Sequence, residues 1–130
     1  MCIRDRITVI IILAETNCFE HVTNINQLIS YAGLDVVLNE SGKKKGKTTI
    51  SKKGNKFIRR ALFMPAMSAC RSNKKMKETF ARLVSKGKNK KAALIAIARK
   101  LLVLIYTLWK NDSEYVQDYK RSIPLKLKTA

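Results

Sequence analysis

Ser41 stands in the run Asn39 to Lys47, NESGKKKGK, followed at once by Gly42 and then by Lys43, Lys44 and Lys45. A hydroxyl in that setting suits one reaction, attack on phosphorus that holds a cut strand as a phosphoester. Gly42 lets a backbone approach closely, and the three lysines can neutralise the phosphate. Ser-Gly is also an everyday turn pair, so on pattern alone the turn and the nucleophile both stand. Ser51, in Ile50-Ser51-Lys52-Lys53-Gly54, is a second candidate hydroxyl, or equally a cap for the turn that follows.

Two predicted helix starts are crowded with cations. Lys52, Lys53 and Lys56 surround one at Gly54-Asn55, and Lys86, Lys88, Lys90 and Lys91 surround another at Asn89. Cations at a helix N-terminus oppose the macrodipole by about 0.3–1 kcal/mol each. A sequence that accepts this twice points to docked anions, because free backbone N–H groups beside lysines form a phosphate site. The alternative is a solvated charged face. Such faces usually mix signs, and these do not. Contacts of this kind fix register on a duplex and carry no base code.

Metal chemistry has little to work with. A metal-dependent nuclease needs clustered carboxylates for Mg²⁺. Glu15, Glu20, Asp35 and Glu40 show no metal-ligand spacing, and the basic region offers Glu78 alone. Cys18 and the single histidine, His21, are three apart, and two ligands do not make a site. Neither a metal nor another cofactor is expected in this chain. Cys2, Cys18 and Cys70 are odd in number and widely spaced, which argues against a disulfide framework and for a reducing cytoplasm.

The elements that must position these groups are mostly helical. Thr23 to Tyr31 predicts a short helix, capped by Thr23 or Asn24 and ended by Gly33. Leu34 to Leu38 and Thr48 to Ser51 read as short strands that pair as a hairpin around the basic loop. A helix opens near Gly54-Asn55 with Ile58, Ala61, Leu62, Pro65 and Ala69 on one stripe, and Pro65 should kink it. Ser72-Asn73 caps the next, with Met76, Phe80, Leu83 and Val84 at helical spacing and Gly87 as its stop. Asn89 caps a last helix reaching about Lys110. The fold expected is therefore mainly α, a compact helical domain with a short β-hairpin around a basic loop.

Charge sets the class of partner. The 130 residues carry 27 Lys and Arg against 9 Asp and Glu, a net charge of +18. From Lys43 to Lys100 there are 20 Lys and Arg and one acid, Glu78. Self-repulsion at this level opposes compaction until a polyanion neutralises it. A basic block inside a core-forming sequence reads as a binding surface for nucleic acid. A membrane is the rival polyanion, and the last helix is apolar on nearly all sides. Arg99 and Lys100 fall near its middle, where each would cost about 2.5–3.5 kcal/mol at a bilayer centre. A central core helix fits better, with one face available to a subunit interface, and no membrane is expected.

The N-terminus imitates a signal peptide, with basic residues before the apolar run Ile7 to Leu13, but no A-x-A site follows. That run reads as a buried helix or strand end. Met1 to Arg6 resembles translated sequencing-adapter residue, so residues 1–6 are expected to be an artefact and an N-terminal portion to be missing.

The string YAGLDVVLNESGKKKGKTTISKKGNKFIRRALFMPAMSACRSN, Tyr31 to Asn73, resembles the C-terminal domain of bacterial insertion-sequence transposases of the one-ten / one-sixteen / nine-oh-two family. The matching pieces are YAGL at Tyr31 to Leu34, SG at Ser41-Gly42, ISKKGN at Ile50 to Asn55, RRAL at Arg59 to Leu62, and a basic-then-apolar run from Gly87 to Leu102. The combination is specific where no single piece is. The resemblance spans about residues 7–115, leaving 116–130 as a weakly ordered tail.

The resemblance implies an N-terminal RuvC-like domain with an acidic DEDD set binding Mg²⁺, and a C-terminal domain supplying a serine. Together these would cut and rejoin DNA under a structured guide RNA. The serine matches Ser41. Lys43, Lys44, Lys45, Lys47, Lys52, Lys53, Lys56, Arg59, Arg60, Lys88, Lys90 and Lys91 would then hold DNA or guide RNA. DNA is the expected partner, with a homo-oligomer at full length and a bacterial cytoplasmic, nucleoid-associated location. Pro65 stands where the family usually has a plain helical residue. The DEDD domain and the Gly-rich helix–hairpin–helix turn expected before Ile7 are absent, so this chain should bind without transposing alone. The competing expectation is a non-catalytic module that grips the RNA or DNA backbone.

Overall fold

A computed structural model describes residues 3–116. Five helices and two small strand pairs follow one another: α1 (Ile3–Glu15), α2 (Ile25–Ala32), β1 (Val36–Val37), β2 (Glu40–Ser41), β3 (Lys44–Lys45), β4 (Thr49–Ile50), α3 (Lys56–Ser72), α4 (Lys74–Ser85) and α5 (Lys90–Lys110). The domain is mainly α, as its periodicities imply. Ile3 to Arg6 form the first turn of α1. The expected tail, apart from the exposed Val116, lies outside the described residues.

The caps fall where the sequence puts them. At α3 the Asn55 side chain accepts from Phe57 N and Ile58 N, at α4 Asn73 accepts from Lys75 N and Met76 N, and at α5 Asn89 accepts from Lys91 N. Each satisfies donors that a helix start leaves unpaired. At α2 Asn24 takes the cap position without a side-chain bond, and Gln27 Oε1 instead accepts from Thr23 N and Thr23 Oγ1. Gly33 (φ 68°) and Gly87 (φ 83°) close α2 and α4 in the left-handed region.

α3 packs against α1, α2, α4 and α5 and is the centre of the fold. Its buried positions are Ile58, Leu62 and Ala66, four apart; Ala61, Pro65 and Ala69 of the predicted stripe are half-buried beside them, and Ala69 packs against the core. They meet Ile12 of α1, Leu28, Ile29 and Ala32 of α2, and Ile97, Ala98 and Leu102 of α5 in one core. The helix continues unbroken through Pro65. A proline donates nothing to the carbonyl four residues back, and that carbonyl, Ala61 O, accepts instead from Thr8 Oγ1 of α1 at 3.3 Å.

One expectation needs correction. The apolar run Ile7 to Leu13 is helical but not buried throughout: Ile12 is fully buried while Ile7 and Ile10 are 52% and 64% exposed. After α1 the chain turns through three consecutive left-handed residues, Asn17, Cys18 and Phe19 (φ 48°, 54° and 60°), which no glycine announced. Left-handed backbone costs such residues about 1–2 kcal/mol each. Burial of Phe19 offsets it, edge-on to Tyr106 with ring centroids 5.3 Å apart. Tyr106 OH also donates toward Val22 O and Thr23 O, tying α5 to this turn.

α5 is long and apolar enough to cross a membrane by length and composition. It buries Ala93, Ile97, Ala98, Leu102 and Tyr106 against α2, α3 and α4, and its remaining apolar residues are mostly half-buried. Arg99 is half-buried, and Lys100 Nζ donates to Thr79 Oγ1 of α4.

Candidate nucleic-acid interface

β1 and β4 form the predicted antiparallel hairpin, with Val36 opposite Ile50 and Val37 opposite Thr49. The segment between them, expected as an open loop, is itself a second hairpin. Glu40 pairs with Lys45 and Ser41 with Lys44, closing on Gly42-Lys43. Gly42 has φ 57° and Lys43 does not have a positive φ. A positive φ at the first central residue alone is the type II′ pattern, which asks for glycine there. Gly42 is thus a turn residue, and the turn sets Ser41 beside the tip.

Directly opposite residues in such a pair share one face with Cβ atoms about 4.5–5.5 Å apart. Lys44 therefore lies on the face of Ser41, whereas Glu40 and Lys45 share the other. The one acid of the hairpin tip is turned away from the hydroxyl. Ser41, Lys43, Lys44, Lys45 and Lys47 are all exposed. Ser41 Oγ has no hydrogen-bond partner among the described residues, and none of them is placed as its base. Ser51, the second candidate, is half-buried, and its hydroxyl donates to the Asp35 carboxylate. That bond ties the two strands of the hairpin near its base.

Lys52, Lys53, Lys56 and Arg60 are exposed around the start of α3, beside the hairpin. The Asn55 cap already occupies Phe57 N and Ile58 N, so the groups left there that could hold an anion are lysine side chains more than backbone amides. Arg59 is different. It is half-buried, and its Nη1 donates to Ala32 O and Gly54 O, both at 2.9 Å. Lys88, Lys90 and Lys91 are exposed at the start of α5, which is reached through α4. α3 has 17 residues and is about 25 Å long, so it sets the hairpin and the start of α4 at opposite ends.

Sequence reading missed a further basic surface. Arg71, Lys74, Lys75, Lys77 and Arg82 are exposed, while Met76, Phe80, Leu83 and Val84 are half-buried on the inner side of α4. The apolar stripe of α4 was the signal: it sends the remaining positions other than Thr79 outward, and only Glu78 among them is acidic. Among the described residues the Lys and Arg side chains that make hydrogen bonds, Arg59, Lys100 and Lys110, bond carbonyls or hydroxyls and not carboxylates.

Among the described residues no three His, Cys, Asp or Glu side chains come together as a metal site, and Cys18 and His21 are both exposed. The residues present do not fit the Mg²⁺ that the resemblance places in a separate acidic domain.

Residues 5–81 match the family model of the Transposase IS116/IS110/IS902 family. This chain belongs to that transposase family. A pilin gene-inverting protein of Moraxella lacunata is 32% identical over 108 residues, which cover 82% of this chain and 33% of that protein. A pilin gene-inverting protein of Moraxella bovis is 38% identical over 90 residues, covering 68% of this chain and 28% of that protein. The chain thus spans about a third or less of these relatives. Within the transposase-family match lie the hairpin, the start of α3 and most of α4, whereas α5 with Lys88, Lys90 and Lys91 lies beyond it.

Proposed function

We propose that the chain is the DNA-handling portion of a transposase or recombinase in which Ser41 attacks the phosphodiester. One observation carries this reading: an exposed serine at a hairpin tip shares its face with Lys44, while the acid of that tip faces the other way. Ser41 Oγ would form a bond to phosphorus as the strand's bridging P–O bond breaks, and the freed oxygen would leave with a proton. Lys44 and Lys43 offset the charge that builds on the phosphoryl oxygens. The base that takes the hydroxyl proton, and any Mg²⁺, come from outside the described residues. Membership of a transposase family and likeness to proteins named for inverting a gene support DNA as the substrate. A structured guide RNA, a homo-oligomer and a cytoplasmic, nucleoid-associated location complete the proposal.

The test uses a family member long enough to carry an acidic domain. Replacing the serine equivalent to Ser41 by alanine should abolish the covalent protein–DNA adduct and strand exchange while leaving DNA affinity within about twofold. An adduct that persists removes Ser41 from the reaction. The unpartnered Oγ favours a second reading, a non-catalytic backbone-binding module, which predicts no adduct with or without the serine.

A further inference from the structure

We infer that Arg59 is a positioning residue: it clasps the neck of the hairpin and fixes where Ser41 is presented. The inference rests on Ser41 acting at a phosphate. Its ground is that the hairpin is held to the helices only at its base, and nothing beyond the base supports it. Residues 36–49 are all exposed, and of the strand residues only Ile50, at the base of the hairpin, packs against the helical core. Gly33 to Ser41 can reach about 25 Å at strand rise. At that reach, 10° of play at the neck moves the tip about 4 Å, and reacting groups misplaced by about 1 Å can lose a hundredfold in rate. The position of Ser41 is therefore set at the neck or not at all.

The neck is built for this. Arg59 Nη1 bridges Ala32 O, before the first strand, and Gly54 O, after the last, each at 2.9 Å. The two segments of the neck touch backbone to backbone: a Cβ on Gly54 would lie 2.2 Å from Tyr31 O and 2.3 Å from Gly33 N, and one on Gly33 would lie 2.5 Å from Arg59 Nη1. Lys52 N donates to Gly33 O, Asn55 N to Tyr31 O, and the Ser51 hydroxyl to Asp35. Asn55 Nδ2 donates to Glu15 Oε2 and Tyr31 OH to Glu15 O, which anchors the neck to α1. A guanidinium nitrogen carries two N–H groups in a fixed plane and can bridge two carbonyls where an ammonium's rotating donors hold no such angle.

Arg59 was read from sequence as a phosphate contact, and the two roles separate by experiment. In the full chain with its cysteines replaced, nitroxides at Lys43→Cys and Thr107→Cys report the tip-to-body distance. Arg59→Lys keeps the charge and Arg59→Gln removes it. Both should broaden the distance distribution at least twofold with unchanged helical circular dichroism, and neither should change the salt slope of DNA binding. An unchanged width, or a slope shallower by about 1 for Arg59→Gln alone, would overturn the clasp and make Arg59 a phosphate ligand. Should both variants fail to fold, amide exchange in the unaltered chain decides: protection at Lys52 and Asn55 equal to that of α3 supports the clasp, and rapid exchange there refutes it. Loss of the Ser41 reading shows separately, as an adduct unaffected by Ser41→Ala.

Discussion

At Gly42 and Gly54 the same residue type answers two different demands. A Cβ on Gly42 would meet nothing within 4 Å, so only its φ of 57° calls for glycine. Gly42→Ala should cost about 1–2 kcal/mol, confined to the hairpin tip, with the helical unfolding midpoint unmoved. Gly54 has no positive φ and no room. Gly54→Ala should force the neck apart and lower stability by about 1–3 kcal/mol, read as a lower urea midpoint by circular dichroism. The sequence displays the first demand, since Ser-Gly is a turn signal. It hides the second, because Tyr31 and Gly54 meet only when two distant segments fold together. Cys70 makes a similar point about burial, which pushes its thiol above the ordinary range and lowers its thiolate fraction at neutral pH. An alkylating reagent near pH 8 should therefore label the exposed Cys18 well before Cys70, and equal rates would mean that α3 is open in solution.

Helix starts were legible because asparagine caps are local: Asn55, Asn73 and Asn89 each stand one residue before the helix they begin. The inner β2–β3 hairpin was not, since Lys44-Lys45 has no strand propensity and only the II′ turn at Gly42 pairs it. Pro65 shows how a local defect is repaired by a distant element. Its missing N–H frees Ala61 O, and the buried Thr8 of α1 supplies the donor. Thr8→Val should then cost about 1–3 kcal/mol, the penalty of an acceptor left unsatisfied. Pro65→Ala restores an N–H for Ala61 O within α3, so the same Thr8→Val change should cost distinctly less in that background. Equal costs in a double-mutant cycle of urea midpoints would show that the two sites are uncoupled and that this bond does not join α1 to α3.

Over the whole molecule, the surplus of cations was plain in the sequence, but not its division between two ends of α3. Charge counts carry no direction, and only the packing of α4 shows that Lys74, Lys75 and Lys77 face outward, about one helix length from the hairpin. The division makes the surfaces separable. With about six phosphates contacted, log affinity should fall against log salt with a slope near −5. Lys43, Lys44 and Lys45 replaced together by glutamine should bring that slope toward about −2 to −3 if the hairpin lies on the duplex, and the covalent adduct of a full-length relative should fall with it. The matching replacement of Lys74, Lys75 and Lys77 should lower affinity while leaving the adduct formed at saturating DNA unchanged, because α4 stands too far from Ser41 to touch the reacting phosphate. If both triple variants lost adduct and slope alike, the two surfaces would be following one strand into the same site, and a 25 Å separation along α3 would not allow that without a sharp bend in the DNA.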